Sequence, residues 1–141
     1  MLSLTLALTA TVARPASAEP QLHCDVTYAG TTHRYDARIS HDSSLDPASD
    51  PGAAYTTESA DIAGRFRFKA VLLGTGQQLE AVKLYAYYET ARHPILLQEV
   101  KYVAPFIFSS KPNSLTGLVA LYSPPLDREL QYGCSLMEVQ Q

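Results

Sequence analysis

The chain of 141 residues has no tryptophan, only two cysteines, and no apolar run after its first dozen residues that approaches the ~20 residues of a membrane helix. The cysteines show no C-x-x-C spacing, which argues against a metal or catalytic pair. The missing tryptophan removes the core residue that marks an immunoglobulin domain. These absences exclude a transmembrane helix after the first dozen residues and favour a structural role for the two cysteines.

Sequence motifs of enzymes are missing as well. The chain has no G-x-S-x-G elbow, phosphate loop, G-x-G-x-x-G or H-E-x-x-H. The stretch SHDSS at 40–44 brings serine, histidine and aspartate together, but neighbours in a loop do not have triad geometry. We therefore expect a protein that is not an enzyme and uses no cofactor.

The charge balance is acidic, with 11 lysines and arginines against 14 aspartates and glutamates and a net charge of −3. Nucleic-acid-binding domains usually carry a basic excess. The composition argues against a nucleic-acid partner, although it leaves room for a local basic patch.

Residues 1–18 have the pattern of a signal peptide. An uncharged, mostly apolar stretch at 2–12 is followed by the triplet ASA at 16–18, the A-x-A pattern that signal peptidase recognises. No lysine or arginine precedes the apolar stretch, which departs from the usual pattern, and an apolar N-terminal tail is the alternative. We predict cleavage before Glu19, export to the periplasm or the medium, and a single soluble domain at 19–141.

Two cysteines, Cys24 and Cys134, lie near the two ends of the predicted domain. In an exported protein the simplest interpretation is one disulfide, which would close a loop of 109 intervening residues. Two buried free thiols are the alternative.

Alternation of apolar and polar residues predicts β-strands through most of the chain after residue 20. In the first predicted hairpin, a two-residue turn at 30–31 pairs Val26 with Tyr35 and Cys24 with Ala37, so the apolar faces coincide. Residues 41–61, rich in proline, serine and aspartate, interrupt the pattern and predict a long flexible loop, with a binding loop as the alternative.

The stretch RFRFKAV at 65–71 opens the second predicted hairpin. A three-residue loop at 75–77 pairs Phe68 with Leu84 and turns both to the core. The same register sets three pairs on the outer face, namely Arg65 with Tyr87, Arg67 with Tyr85, and Lys69 with Lys83.

The following strand, at 95–103, folds back over a loop at 91–93, with Lys101 opposite Lys83 and Glu99 opposite Tyr85. Two more strands are predicted, at about 115–122 and 129–137, with the proline pair PP between them. About seven short strands in a chain of this size favour an all-β, antiparallel β-sandwich comparable in size to an immunoglobulin domain. A small closed β-barrel is the alternative.

The predicted pairing collects basic and aromatic side chains on one outer surface, which we call the basic–tyrosine face. Arginine beside tyrosine suits stacking and cation–π contact, and the surface could hold an anionic ligand or the acidic surface of an envelope protein. A solvated sheet face, with Glu80 and Glu99 as partial counter-charges, is the favoured interpretation of these side chains. The residues of the face are Arg65, Arg67, Lys69, Lys83, Tyr85, Tyr87 and Lys101.

A second candidate site lies on the outer face of the first hairpin. The predicted register sets Asp25 opposite Asp36, beside His23, and two carboxylates with an imidazole could hold a divalent ion for a small metal-dependent enzyme or metal-binding protein. Because Arg34 and Arg38 are close, neutralisation by arginine is the favoured interpretation.

The segment APFIFSSKPNS at 104–114 places three consecutive apolar residues in a predicted loop. We expect it to plug one end of the sandwich, with docking of a partner as the alternative.

Three stretches, GRFRFKAV, KLYAYYET and LTGLVALYSPPLDRELQYGCSL, resemble a family of small exported bacterial proteins that contain a single disulfide. The resemblance covers most of the predicted domain, including both cysteines, and implies export and a single domain. It implies no activity and no functional residue.

Overall fold

The computed structural model describes residues 18–39, 54–56, 59–75 and 78–140, which form nine strands and no helix. Most of the predicted signal peptide and of the predicted 41–61 loop lies outside these residues. The strands are β1 (Ala18–Tyr28), β2 (Thr31–Arg38), β3 (Ala54–Thr56), β4 (Ala60–Ile62), β5 (Phe66–Thr75), β6 (Gln78–Tyr88), β7 (Ile95–Val103), β8 (Leu118–Ser123) and β9 (Arg128–Gln140).

The strands form two antiparallel sheets. The first has the order β2-β1-β9-β8, and the second has the order β3-β5-β6-β7, with β4 also paired to β5. The sheets do not close into a barrel, so the predicted sandwich is confirmed and the barrel alternative is wrong. The strand count exceeds seven because β3 and most of β4, each a strand of three residues, fall within the range 41–61 that was predicted as loop.

The core lies between the sheets and follows the alternation of the sequence. Phe66 and Phe68 of β5 are fully buried, as are Leu130 and Leu136 of β9. The ring of Phe68 lies 5.1 Å from that of Tyr132 across the core, in a tilted arrangement. Burying one such side chain contributes about 1.5–3 kcal/mol, so these aromatic contacts hold the sheets face to face.

The first and last strands pair in the middle of the first sheet. Their register runs without a break from Ala18 opposite Gln140 to Tyr28 opposite Leu130. Cys24 lies directly opposite Cys134 with a Cα–Cα distance of 4.1 Å, and the two form a disulfide buried in the core. The predicted disulfide is therefore confirmed.

We expect the double variant Cys24→Ala/Cys134→Ala to fold and to lose about 2–4 kcal/mol of unfolding free energy, because the bond restricts the unfolded chain over a long loop. Urea denaturation of the variant and of the oxidised protein measures the difference. An unchanged midpoint and slope would contradict the expectation.

The register of the first hairpin differs from the prediction by two residues. Its turn is Ala29-Gly30, both with positive φ (50° and 80°), and Cys24 lies opposite Tyr35 rather than Ala37. Positive φ at both central residues is the type I′ geometry that matches strand twist, and it keeps the β-branched Thr31 in the strand. Since the shift is two residues, the predicted inward faces are unchanged.

The second hairpin also differs from the predicted register. Phe68 lies opposite Ala86, not Leu84, because the strands pair up to Thr75 and Gln78 and the register shifts at a bulge beside Gly74. The pairing of β6 with β7 was predicted correctly, with Lys83 opposite Lys101 and Tyr85 opposite Glu99.

The segment between β7 and β8 covers the part of β9 that extends beyond β8. Ser109 donates its N–H to the carbonyl of Leu136, and Leu115 donates to that of Cys134. Asn113 packs so closely over Gly133 that a Cβ atom there would lie 1.8 Å from its side-chain oxygen. Phe106 packs against the core, as expected for a plug, whereas Ile107 is 86% exposed.

Candidate binding face

The outer face of the second sheet carries most of the basic–tyrosine face, in a register that differs from the prediction. Arg67, not Arg65, lies opposite Tyr87, and Lys69 lies opposite Tyr85. Arg65 is in the turn between β4 and β5 and is exposed. The prediction had set Lys69, Lys83 and Lys101 in one cross-strand row. The two-residue shift moves Lys69 out of this row and leaves Lys83 opposite Lys101, which reduces like-charge repulsion.

Carboxylates compensate part of the positive charge. Arg67 Nε lies 2.7 Å from Glu89 Oε1, and Lys83 Nζ lies 3.1 Å from Glu99 Oε1. The hydrogen bond from Lys83 to Glu99 raises the pKa of the lysine, and a second hydrogen bond to the Tyr85 hydroxyl at 3.3 Å adds to the increase. This part of the face is a compensated network rather than a free cationic surface.

The two tyrosines form a short aromatic strip along β6. Their rings lie 6.2 Å apart, with only 11° between the ring planes, and Lys83 Nζ lies 5.8 Å from the Tyr85 centroid. Side chains two residues apart on a strand point to the same face, so the spacing of Tyr85 and Tyr87 produces the strip directly. Both side chains are half-buried, which keeps one side of the strip accessible.

A cleft of about 280 Å³ lies where this strip meets β5. Lys69 is half-buried, and no ion pair joins it to a carboxylate among the described residues. Arg67 is exposed and forms an ion pair with Glu89 through Nε, and its guanidinium carries four further N–H donors. The cleft is lined by Ser59, Arg67, Lys69, Tyr87 and Pro94.

Three residues of this region were not predicted from the sequence. Ser59 precedes β4, and Pro94 precedes β7, so only the sheet pairing brings them beside β5. Glu89 could have been found, because it continues the period-two alternation of Tyr85 and Tyr87 to the next outward position. Lys101 lies opposite Lys83 as predicted, outside the cleft lining.

The second candidate site has a different arrangement from the predicted one. Asp36 lies opposite His23 and Asp25 lies opposite Arg34, so the two carboxylates are not paired with each other. His23 Nδ1 is 2.7 Å from Asp36 and His23 Nε2 is 3.3 Å from Asp25, which places the imidazole between the carboxylates.

Arginine completes this arrangement, since Arg34 Nε lies 3.0 Å from Asp36 Oδ2. The described residues contain no group of three or more histidine, cysteine or acidic side chains arranged to hold a metal ion. The cluster is a chain of hydrogen bonds and ion pairs across the hairpin.

No protein-family model, curated protein or solved structure matches the chain. In the part of the chain that the structure describes, no helix is long and apolar enough to cross a membrane. The resemblance to small exported bacterial proteins stays a prediction.

The network around Lys83 gives a direct test of the observed register. We expect Glu99→Gln to lower the pKa of Lys83 toward its ordinary value of 10.5, because the largest cause of the increase is removed. NMR titration of lysine side-chain carbons measures this pKa, with Glu138→Gln on β9 as the matched control. Equal titration curves for the two variants would contradict the assignment.

Proposed function

We propose that the protein is an exported, non-enzymatic binding module that holds an acidic peptide segment of a partner against the cleft beside Tyr87. The observation that carries the proposal is the combination of Lys69, which has no carboxylate partner among the described residues, with Arg67 and an aromatic ring in one cleft. Charge-assisted hydrogen bonds from lysine and arginine are suited to a carboxylate ligand.

The geometry favours a short acidic segment over a long polyanion. Asp61 lies opposite Arg67, and Glu89 and Glu99 also lie on or beside this surface. A nucleic acid would meet these carboxylates along its backbone, and the net charge of −3 would oppose it further. A segment with one or two carboxylates can contact Lys69 and Arg67 and place its remaining side chains on the tyrosine strip.

The chemistry of the cleft supports binding rather than catalysis. Among its described lining residues, Ser59 is the one side chain of a type that commonly acts as a nucleophile, and no histidine or carboxylate lines the cleft to activate it. Lysine, arginine and tyrosine in this arrangement supply orientation and charge.

Binding of a pentaglutamate peptide, with pentaglutamine as the uncharged control, tests the proposed site. We expect chemical-shift changes at the Lys69 and Tyr87 amides with pentaglutamate only. Lys69→Gln should weaken binding about tenfold, since a hydrogen bond to a charged group is worth roughly 1.5 kcal/mol.

Lys111→Gln is the matched control, because Lys111 is an exposed lysine in the segment between β7 and β8. Equal affinities for the two variants, or shift changes that avoid the cleft at millimolar peptide, would reject the site.

Export is the second part of the proposal. The buried disulfide supports it, because such bonds persist in oxidising compartments, and the A-x-A triplet ending at Ala18 supplies the cleavage site. Expression of the full chain in a bacterium should yield an envelope protein whose intact mass is that of a chain beginning at Glu19.

The variant Ala18→Arg should retain residues 1–18, because signal peptidase requires a small residue at that position. Recovery of the wild-type chain from the cytoplasm at full length would argue against export.

A further inference from the structure

The large apolar side chains that are exposed to solvent are concentrated in one part of the described chain. In the described part of the chain, every large apolar side chain that is exposed lies between Ile95 and Leu126. This range comprises β7, β8, the segment between them and the turn after β8. Leu118 is 67% exposed and Tyr122 is 57% exposed, both on the outer face of β8. Exposed apolar side chains that share one face, as Leu118 and Tyr122 do, mark an interaction surface.

Strand β8 lies at the edge of the first sheet. It pairs with β9 on one side, and no strand of the described chain pairs with its other side. Every second residue of such an edge directs its N–H and C=O groups outward, which is a template for pairing with another strand.

The edge strands differ in charge. β2 carries Arg34, Asp36 and Arg38, β7 carries Glu99 and Lys101, and β4 carries Asp61. Charged side chains on an edge deter pairing between copies. β8, with the sequence LVALYS, carries none, and the other uncharged edge strand, β3, has only three residues.

We propose that the protein forms a two-fold symmetric homodimer in which β8 pairs antiparallel with β8 of a second copy, which joins the two first sheets into one continuous sheet. A second copy is the proposed partner because of the symmetry of such a pair. A two-fold axis sets the residues of one strand against residues of the identical strand, so a charged edge strand would meet like charges. If β2 paired in the same way with the axis at Asp36, the Asp36 carboxylates of the two copies would lie opposite each other. On β8 no charges meet.

The side chains of β8 also fit one register. With the axis at Ala120, the outer face pairs Leu118 with Tyr122 of the copy, and Ala120 with Ala120 of the copy. An aliphatic side chain opposite an aromatic one is a favourable cross-strand pair, and the small alanines meet at the axis. Directly opposite residues share a face, so the exposed outer residues of β8 meet one another.

The register predicts which introduced cysteine can form a crosslink. Opposed Cα atoms in an antiparallel pair lie about 4.5–5.5 Å apart, within the range of a disulfide. Leu118 and its own copy would be separated by four residues along the strand, or about 13 Å, which is beyond that range. The native cysteines are bonded to each other and leave no free thiol to interfere.

Oxidation of the variants Ala120→Cys and Leu118→Cys, followed by non-reducing electrophoresis, tests the dimer. We expect Ala120→Cys to form mostly covalent dimer and Leu118→Cys to form no covalent dimer. Crosslinking of both to the same extent, or of neither, would overturn the proposal. So would wild-type protein that sediments as a monomer at every concentration up to about 1 mM.

Paired charges provide a second test that does not depend on a thiol. Leu118→Glu/Tyr122→Lys should sediment as a dimer, because each introduced glutamate faces an introduced lysine of the copy. Leu118→Lys/Tyr122→Lys should be monomeric, with circular dichroism showing that it is folded. The same oligomeric state for both variants would overturn the register. Because β8 and the cleft share no residue, failure of this proposal would leave the proposed peptide binding unaffected.

Discussion

The pairing of the first strand with the last is the constraint on which the rest of the fold depends. β1 and β9 lie next to each other in the middle of the first sheet, so β2 and β8 become its edges. The disulfide between Cys24 and Cys134 joins the two strands on the face that packs against the second sheet. Because the joined residues are 110 positions apart, pairing β1 with β9 closes a long loop of the chain and costs conformational entropy. The entropy cost of that closure is large for a chain of this size, and a covalent bond in the core offsets it.

How much the sequence can predict is clearest in the strand registers. Alternation of apolar and polar residues identified the inward faces correctly, because burial selects one face of each strand. It did not identify the turns of the first two hairpins, where a two-residue shift keeps the faces unchanged. Ala29 at positive φ in the first hairpin, and the bulge beside Gly74 in the second, decide those registers. Neither has a strong local signal, since alanine is uncommon at positive φ and glycine occurs in turns and bulges alike.

The candidate site shows the same limit. The prediction placed the right strands and most of the right residues on one face, but the two-residue shift changed their partners. Lys69 moved from beside a lysine to beside Tyr85, and Arg65 moved into a turn. The strands β3 and β4 were missed because they are short and lie in a stretch rich in turn residues, and pairing with β5 stabilises them. Ser59, which helps to line the cleft, could not be placed without that pairing.

The two proposed surfaces occupy different sides of the sandwich. The cleft lies on β5 and β6, next to the edge formed by β3 and β4, whereas β8 lies on the side of β7, the other edge of the second sheet. A dimer through β8 would therefore leave both clefts accessible to a partner. A partner with two acidic segments could occupy both clefts of one dimer. Once the first segment is bound, binding of the second is intramolecular, which increases the overall affinity without any new type of contact. The uncharged edge strand β8 and the cleft beside Tyr87 are thus compatible surfaces of one molecule.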